Sequence, residues 1–160
     1  MKRMLLYIVR HAKAENNAPS GCDADRPLRR RGHRQAEALA TYFAGEITSP
    51  AIVLASPYLR ARETAEHIWT ALDLLPQLDD RLAAHRSLED YLDVIADLSG
   101  APSAVVVGHN PLCARLVAVL TGGPTAEPVR HETARAIAVD LDPTNPVGSG
   151  RFIASFRPEE

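Results

Sequence analysis

The sequence predicts an α/β three-layer sandwich, in which helices cover both faces of a mostly parallel central sheet. Three short apolar runs support this prediction, at residues 5–9, 51–55 and 104–107. A short apolar run between turn-forming residues is typical of a strand buried on both faces. An amphipathic helix is predicted after each run, and strands that alternate with helices favour a parallel sheet between two helical layers.

Length and composition fit one domain, expected to span residues 1–160. The chain has 160 residues, of which 46% are hydrophobic and 24% are charged, and this is enough to bury a substantial core. The formal net charge of −2 gives no overall attraction to nucleic acid or to a membrane surface. We therefore expect neither as a partner.

Cysteine usage and the first residues of the chain favour a cytoplasmic protein. Cys22 and Cys113 are too few for a disulfide framework, which favours a reducing compartment. The first apolar run has about five residues, fewer than the ~7–15 of a secretory signal. No run approaches the ~18 apolar residues that span a bilayer.

The first two helices are predicted from apolar stripes and from their terminal residues. The stripe of the first helix consists of Ala36, Leu39, Ala40 and Phe43. Gly45 is expected to end this helix. In the second helix, Ser56 is expected as the N-cap and Pro57 as the first helical residue. Its stripe consists of Ala61, Ala65, Ile68 and Leu72.

Two more helices and two more strands complete the predicted topology. The stripe of the third helix consists of Leu88, Leu92 and Ile95. In the fourth helix, Asn110 is expected to cap the N-terminus and Pro111 to open the first turn, and a glycine pair at residues 122–123 should end it. The last strands are predicted near residues 136–141 and 151–156, around a turn rich in proline, glycine and asparagine.

Arg10, His11, Arg60 and His109 all lie just after predicted parallel strands. Polar residues at the end of a buried strand contribute little to packing, but they can present side chains at an open sheet edge. The carboxyl ends of parallel strands meet at one edge, where α/β proteins bind ligands. Arg60 should point back to that edge from the first turn of its helix. These side chains and two helix N-termini predict a pocket for a tetrahedral dianion such as a phosphoryl group.

His11 is the predicted nucleophile of this pocket. A neutral imidazole can attack phosphorus and form a covalent phosphohistidine, which water then hydrolyses. Arg10, Arg60 and His109 would bind the phosphoryl group and stabilise its charge in the transition state. The sequence has no Gly-rich nucleotide loop and no histidine pair with convincing metal-ligand spacing, so no metal and no other cofactor is expected.

Four motifs, in chain order, resemble those of the histidine phosphatase superfamily. They are Leu-Tyr-Ile-Val-Arg10-His11-Ala, Arg26-Pro27-Leu28, Ser56-Pro57-Tyr58-Leu59-Arg60-Ala61 and Val-Gly108-His109-Asn110-Pro111. The short chain and the Arg-Pro-Leu element look like the SixA-like phosphohistidine phosphatases. The resemblance covers nearly the whole chain and implies a phosphoglycerate mutase-like fold and a phosphoenzyme mechanism on His11. It also implies that Arg10, Arg60 and His109 complete the pocket, with Arg26 in a loop above it.

Asn17 and Asp23 are weaker site candidates. Asn17 lies seven residues after Arg10, where some members of the superfamily place an asparagine on the phosphate. Asp23 is one possible proton donor of the kind that the mutase and phytase branches use. Other carboxylates with the same potential are Glu15, Asp25 and Glu89, and none of the four lies in an unmistakable motif.

Several arginines and His131 have two open interpretations. The run Arg29-Arg30-Arg31, with Arg26 and Arg34 nearby, is either a solvated basic face or a docking patch for an acidic, histidine-phosphorylated partner. The loop at residues 130–135, which includes His131, is either structural or a border of the site. Arg29 also replaces a Ser or Thr that is frequent in the superfamily, and this replacement removes a helix N-cap worth ~1 kcal/mol.

The missing proton donor favours a phosphohistidine phosphatase that acts on histidine-phosphorylated proteins. An alkoxide leaving group needs a positioned acid, whereas the imidazole of phosphohistidine leaves across a weaker P–N bond. One alternative is a small-molecule phosphomonoesterase or a phosphoglycerate mutase-like enzyme with a small phosphorylated substrate. An alternative of another class is a phosphoprotein-binding module with little turnover. Superfamily analogy favours a monomer.

Overall fold

The computed structural model describes residues 2–48 and 51–159, which form a five-stranded sheet with helices on both faces. The strands are β1 (Met4–Arg10), β2 (Ala51–Ala55), β3 (Ser103–Gly108), β4 (Ala136–Leu141) and β5 (Arg151–Phe156). The helices are α1 (Arg30–Glu46), α2 (Leu59–Ala71), α3 (Leu88–Asp97) and α4 (Leu112–Gly122), with single 3-10 turns at Asp23–Asp25 and Asp80–Leu82. None of these helices is both long and apolar enough to cross a membrane.

The central strand β1 brings the carboxyl ends of three parallel strands to one edge. The sheet order is β2-β3-β1-β4-β5, with β1 parallel to β3, β3 parallel to β2, and the last two strands antiparallel. Arg10 pairs with Gly108 in register, and Ala55 pairs with Val107. The residues that follow β1, β2 and β3 are therefore neighbours, as the strand pattern predicted.

Alternate residues of β1 enter separate cores on the two faces of the sheet. Leu6 and Ile8 pack in one core with the apolar faces of α3 and α4. Tyr7 and Val9 pack in the other core with α1 and α2. Burial of each large side chain stabilises the fold by ~1.5–3 kcal/mol. This arrangement confirms the three-layer prediction, and the stripe predicted for α1 is fully buried.

Several helix ends differ from the sequence prediction. Helix α1 continues past Gly45 to Glu46. Helix α2 begins at Leu59 rather than at Pro57, because the Ser56 hydroxyl faces the neighbouring strand end and only accepts a turn hydrogen bond from the Tyr58 N–H at 3.1 Å. Helix α4 begins at Leu112, one residue after the predicted start.

Gly32, in the first turn of α1, lets this helix approach the segment that follows β1. A Cβ atom at this position would lie 2.0 Å from the carbonyl oxygen of Lys13. The same carbonyl accepts a hydrogen bond from the Arg29 N–H at 2.9 Å, and the Lys13 N–H donates to Gln35 Oε1 at 3.0 Å. The start of α1 is thus attached two residues beyond His11.

Candidate active site

His11 lies at the end of β1, with one ring nitrogen held by a backbone carbonyl and the other facing Arg60. Its side chain is buried, and Nδ1 lies 2.8 Å from the carbonyl oxygen of Ala12. A carbonyl only accepts, so Nδ1 carries the proton and Nε2 retains its lone pair. Arg60 Nε donates to this Nε2 at 3.3 Å. The nitrogen with the lone pair therefore faces a guanidinium.

The environment keeps His11 neutral at neutral pH. Burial, followed by repulsion from the Arg60 and Arg10 guanidinium groups, lowers the pKa of His11 to about 3, against the opposing effect of the hydrogen bond to Ala12. A neutral imidazole is the form that can attack phosphorus. The two arginines thus favour the reactive protonation state and also provide positive charge for an anion.

His109 lies beside His11, with ring centroids 5.3 Å apart. Its backbone N–H donates to Tyr91 Oη at 3.1 Å, and Tyr91 Oη donates to the Leu82 carbonyl at 2.8 Å. A Cβ atom on Gly108 would lie 2.5 Å from the same Tyr91 oxygen. The glycine in the Gly-His pair therefore leaves room for the tyrosine that positions the histidine.

The two ring nitrogens of His109 differ in their hydrogen bonding. Nε2 lies 2.7 Å from Ser56 Oγ, whose hydroxyl proton is available because the Tyr58 N–H uses an oxygen lone pair. His109 Nδ1 is buried, and no described residue forms a hydrogen bond with it. Burial and repulsion from His11 and Arg60 lower the pKa of His109 to about 2. When the Ser56 hydroxyl donates to Nε2, Nδ1 carries a proton that an anion can accept.

Arg60 extends from the first turn of α2 to the same edge and is 5% exposed. Thr64, one turn later, donates from Oγ1 to the Arg60 carbonyl at 2.7 Å and accepts from the Ala12 N–H at 3.0 Å. This link holds α2 against the segment after β1. The guanidinium also lies 5.1 Å from the ring centre of Tyr58, at a cation–π distance.

Arg10 completes the cluster and is only partly exposed. Its Nη1 donates to the His131 carbonyl at 3.3 Å, and its Nε is buried without a hydrogen-bond partner among the described residues. Burial is the largest cause that lowers the pKa of Arg10, although an arginine remains charged. A buried guanidinium donor without a partner is a site where an anion would be stabilised.

Asp23 and Arg26 form the loop above the cluster. The Asp23 carboxylate lies 3.0 Å from Arg60 Nη2 and 2.8 Å from Arg26 Nη1. Hydrogen bonds from Arg26 and Arg60 lower the pKa of Asp23, so this carboxyl is ionised and poorly suited to donate a proton. Arg26 Nε is held by the Glu15 carbonyl at 2.7 Å. Asn17 is exposed in this loop and forms no hydrogen bond with a described residue.

The remaining proton-donor candidates lie in other surroundings. Glu15 pairs with Arg29 at 3.6 Å, and Asp25 accepts a hydrogen bond from Ser20 at 2.7 Å. Glu89 is exposed in the first turn of α3. The structure thus brings Arg10, His11, Arg60 and His109 together with Asp23. Asn17 lines a small cavity of the loop with Asp23 and Arg26.

Tyr91 and Thr64 support the site, although neither was predicted to have a role in it. Each lies on a helix with a regular apolar pattern, so each looks like an ordinary core position until the tertiary contacts are known. Ser56 was predicted as a helix cap, whereas its closest contact is with His109. In the part of the chain that the structure describes, no three His, Cys, Asp or Glu side chains are placed to hold a metal ion.

Comparison with known proteins places this geometry in a family. The model of the histidine phosphatase superfamily (branch 1) matches residues 6–86. The phosphohistidine phosphatase SixA of Escherichia coli (strain K12) is 32% identical over 155 residues, which cover 93% of this chain and 91% of that protein. A SixA homolog of Haemophilus influenzae is 34% identical over 134 residues, with 74% and 78% coverage.

A solved structure agrees over the whole fold. The structure of the protein histidine phosphatase SixA complexed with tungstate superposes with a TM-score of 0.83 at 29% identity, covering 96% of this chain and 97% of that one. The family model covers half of the chain, and both relatives are more than 30% identical over more than two thirds of it. The chain therefore belongs to the histidine phosphatase superfamily.

Proposed function

We propose that this phosphatase removes phosphoryl groups from histidine-phosphorylated proteins through a covalent phosphohistidine on His11. The observation that carries the proposal is the neutral His11 ring, with Nδ1 held by Ala12 and the Nε2 lone pair directed at Arg60. The names of the Escherichia coli and Haemophilus influenzae relatives support the substrate class.

In the first step, His11 Nε2 attacks phosphorus as the bond from phosphorus to the substrate nitrogen breaks. Arg10, Arg60 and the open Nδ1 of His109 would stabilise the charge on the phosphoryl oxygens, and this electrostatic stabilisation supplies most of the catalysis. The His11 ring becomes a cation, and its Nδ1–H remains bonded to the Ala12 carbonyl.

In the second step, water attacks the phosphoryl group of the enzyme. The new P–O bond forms as the P–N bond to His11 breaks, and the proton of the water leaves with phosphate or solvent. His11 returns to its neutral form, which burial and the neighbouring arginines favour. No metal or other cofactor takes part in either proposed step.

The state of Asp23 supports phosphohistidine over alkyl phosphates. Removal of a general acid typically costs 10²–10⁴-fold in rate when the leaving group is an alkoxide. Asp23 is the carboxylate closest to Arg60 among the acid candidates, and its ion pairs keep it deprotonated. A substrate imidazole can take its proton on the ring nitrogen that does not carry phosphorus, so this reaction needs no dedicated acid.

A direct comparison of substrates tests the proposal. A phosphohistidine protein, a sugar phosphate and an aryl phosphate are offered to the enzyme under identical conditions, and kcat/KM is measured for each. We expect the phosphohistidine protein to be preferred by at least about 100-fold over the sugar phosphate, in line with the missing acid. A preference for the sugar phosphate would contradict the substrate assignment and favour a small-molecule phosphomonoesterase or a mutase-like enzyme.

The same assay separates an enzyme from a phosphoprotein-binding module. The enzyme releases phosphate in many turnovers, whereas a binding module would retain the phosphorylated protein without turnover on any of the three substrates. We infer in addition that the protein acts as a monomer in the cytoplasm, and the two free thiols, Cys22 and Cys113, are consistent with a reducing compartment.

A further inference from the structure

A cavity of about 640 Å³ lies beside Arg10, and neither His11 nor His109 lines it. Of the four clustered residues Arg10, His11, Arg60 and His109, only Arg10 lines this cavity. The other walls come from the segment after His11, the start of α4, the loop at residues 129–133 and the C-terminal Arg157. We call this cavity the basic pocket, after its charged side chains: Arg10, Lys13, Arg130 and Arg157, with Glu132 as the one carboxylate.

The basic pocket concentrates positive charge in a chain whose formal net charge is −2. Its one carboxylate, Glu132, is already occupied, because Arg135 donates to both of its oxygens at 2.7 and 3.0 Å. Lys13 and Arg130 form no ion pair with a described residue. A local excess of cations of this kind attracts and orients an acidic partner.

The pocket wall is attached to the residues of the proposed phosphoryl site. The His131 carbonyl accepts hydrogen bonds from Arg10 Nη1 at 3.3 Å and from Asn110 Nδ2 at 2.7 Å. The Ala134 N–H donates to the carbonyls of Arg10 and His11 at 3.0 and 3.1 Å. A group bound in the pocket is therefore held at a fixed position relative to a phosphoryl group on His11.

A second attachment fixes the guanidinium of Arg157. Its Nε donates to the Thr133 carbonyl at 2.9 Å, and its Nη2 donates to Thr133 Oγ1 at 3.4 Å. Val129 contributes an apolar surface at the rim and is 64% exposed. A cavity of this size, with cations from four segments and an apolar rim, suits a stretch of polypeptide better than one small anion.

We propose that the basic pocket binds Asp or Glu side chains that flank the phosphohistidine of the protein substrate. The inference rests on the proposed function and adds to it a rule of substrate choice. Arg10 would contact the phosphoryl group on one side and the flanking carboxylate on the other. Lys13 and Arg130, which line the pocket from different segments, would then select substrates with acidic neighbours.

Two phosphohistidine peptides of the same length test this rule. One carries Asp and Glu around the phosphohistidine, and the other carries Asn and Gln at the same positions. We expect the wild-type enzyme to hydrolyse the acidic peptide with a kcat/KM about tenfold higher. The preference should shrink toward unity as the salt concentration rises from 50 to 500 mM, because exposed charges are screened within about a Debye length.

Arg130 is the residue to substitute, because its side chain is exposed and forms no hydrogen bond with a described residue. Arg130→Glu should reduce the ratio of kcat/KM for the acidic over the neutral peptide by about tenfold, and Arg130→Gln by about threefold. Arg151→Glu is the matched control, because Arg151 is exposed on β5 opposite Asp140, at the sheet edge away from the site. It should leave the ratio unchanged.

The outcomes separate this inference from the proposed function. Hydrolysis of both peptides by the wild type at equal rates would overturn the inference and leave the phosphohistidine phosphatase assignment intact. A preference that Arg130→Glu and Arg130→Gln leave unchanged would also overturn it. Failure of the wild type to hydrolyse either peptide would instead refute the proposed function, and the inference with it.

Discussion

The buried histidines His11, His109 and His131 should make the folded protein lose stability in mild acid, and His11 should account for a defined part of that loss. The unfolded chain binds a proton on a histidine near pH 6.5, whereas the folded protein holds the pKa of His11 at about 3. Between these values the unfolded state carries a proton that the folded state lacks. Stability is therefore complete above pH 6.5 and falls as the pH decreases.

The magnitude follows from the linkage relation. Each pH unit below 6.5 costs about 1.4 kcal/mol per histidine that stays neutral in the folded state. Integrated from pH 7.5 to pH 5.5, with a titration midpoint at 6.5, His11 contributes a loss of about 1.4 kcal/mol. Burial also lowers the pKa of His109 and of His131, and both contribute to the loss in each of the two proteins that are compared.

Urea unfolding of the wild type and of His11→Gln at the two pH values isolates the His11 contribution. Glutamine keeps a polar side chain but does not titrate. The decrease in the free energy of unfolding between pH 7.5 and 5.5 should be about 1.4 kcal/mol smaller in the variant. Equal decreases in the two proteins would show that folding leaves the pKa of His11 near 6.5, and that burial and the neighbouring arginines do not hold the ring neutral in mild acid.

Three substitutions test other parts of the site. Ser56→Ala removes the hydroxyl that contacts His109 Nε2 and should lower kcat/KM by about tenfold. Steady-state assays of phosphate release measure this change. Unchanged kinetics would exclude a positioning role for Ser56. Arg29 is the N-cap of α1 without a side-chain cap hydrogen bond, so Arg29→Ser should raise the free energy of unfolding by about 1 kcal/mol in urea titrations, with Arg29→Ala as the control that lacks a cap. Asp23→Asn should keep kcat for a phosphohistidine protein within about threefold of the wild-type value, because the contacts with Arg60 keep Asp23 ionised and it does not donate a proton. A decrease of kcat by 10²–10⁴-fold would identify Asp23 as the general acid.

The sheet and the principal residues of the site follow from local sequence signals. Each buried strand is a short apolar run, and the polar residues directly after β1 and β3 contribute nothing to the core. Parallel pairing then places Arg10 beside Gly108, and His11 and His109 come together without any further information.

The supporting contacts depend on tertiary structure that no local pattern encodes. Ser56 has the preferences of a helix cap, but its closest partner is His109, 53 residues later in the chain. Tyr91 belongs to the buried face of α3, and its hydroxyl reaches the His109 backbone. These contacts arise only when the two layers close on the sheet, so the second histidine was predictable and its orientation was not.

The state of Asp23 was also beyond sequence analysis. A carboxylate in a polar loop could act as an acid, bind a cation or remain solvated. Its role depends on whether Arg60 lies within reach, and Arg60 is on an element 37 residues away in the chain. The structure provides this contact, and the ion pair replaces the proton-donor hypothesis for Asp23 with that of an ionised side chain.

Rapid-quench labelling tests the central claim most directly. The enzyme is mixed with a protein that carries radioactive phosphohistidine and is quenched in alkali within milliseconds, and the label on the enzyme is mapped by peptide digestion. We expect a transient label on the wild type that is stable in alkali, labile in acid and located on His11. His11→Asn, shown to be folded by its unfolding transition, should carry no label and release no phosphate. Label on another residue, or undiminished phosphate release by His11→Asn, would contradict the proposed phosphoenzyme mechanism.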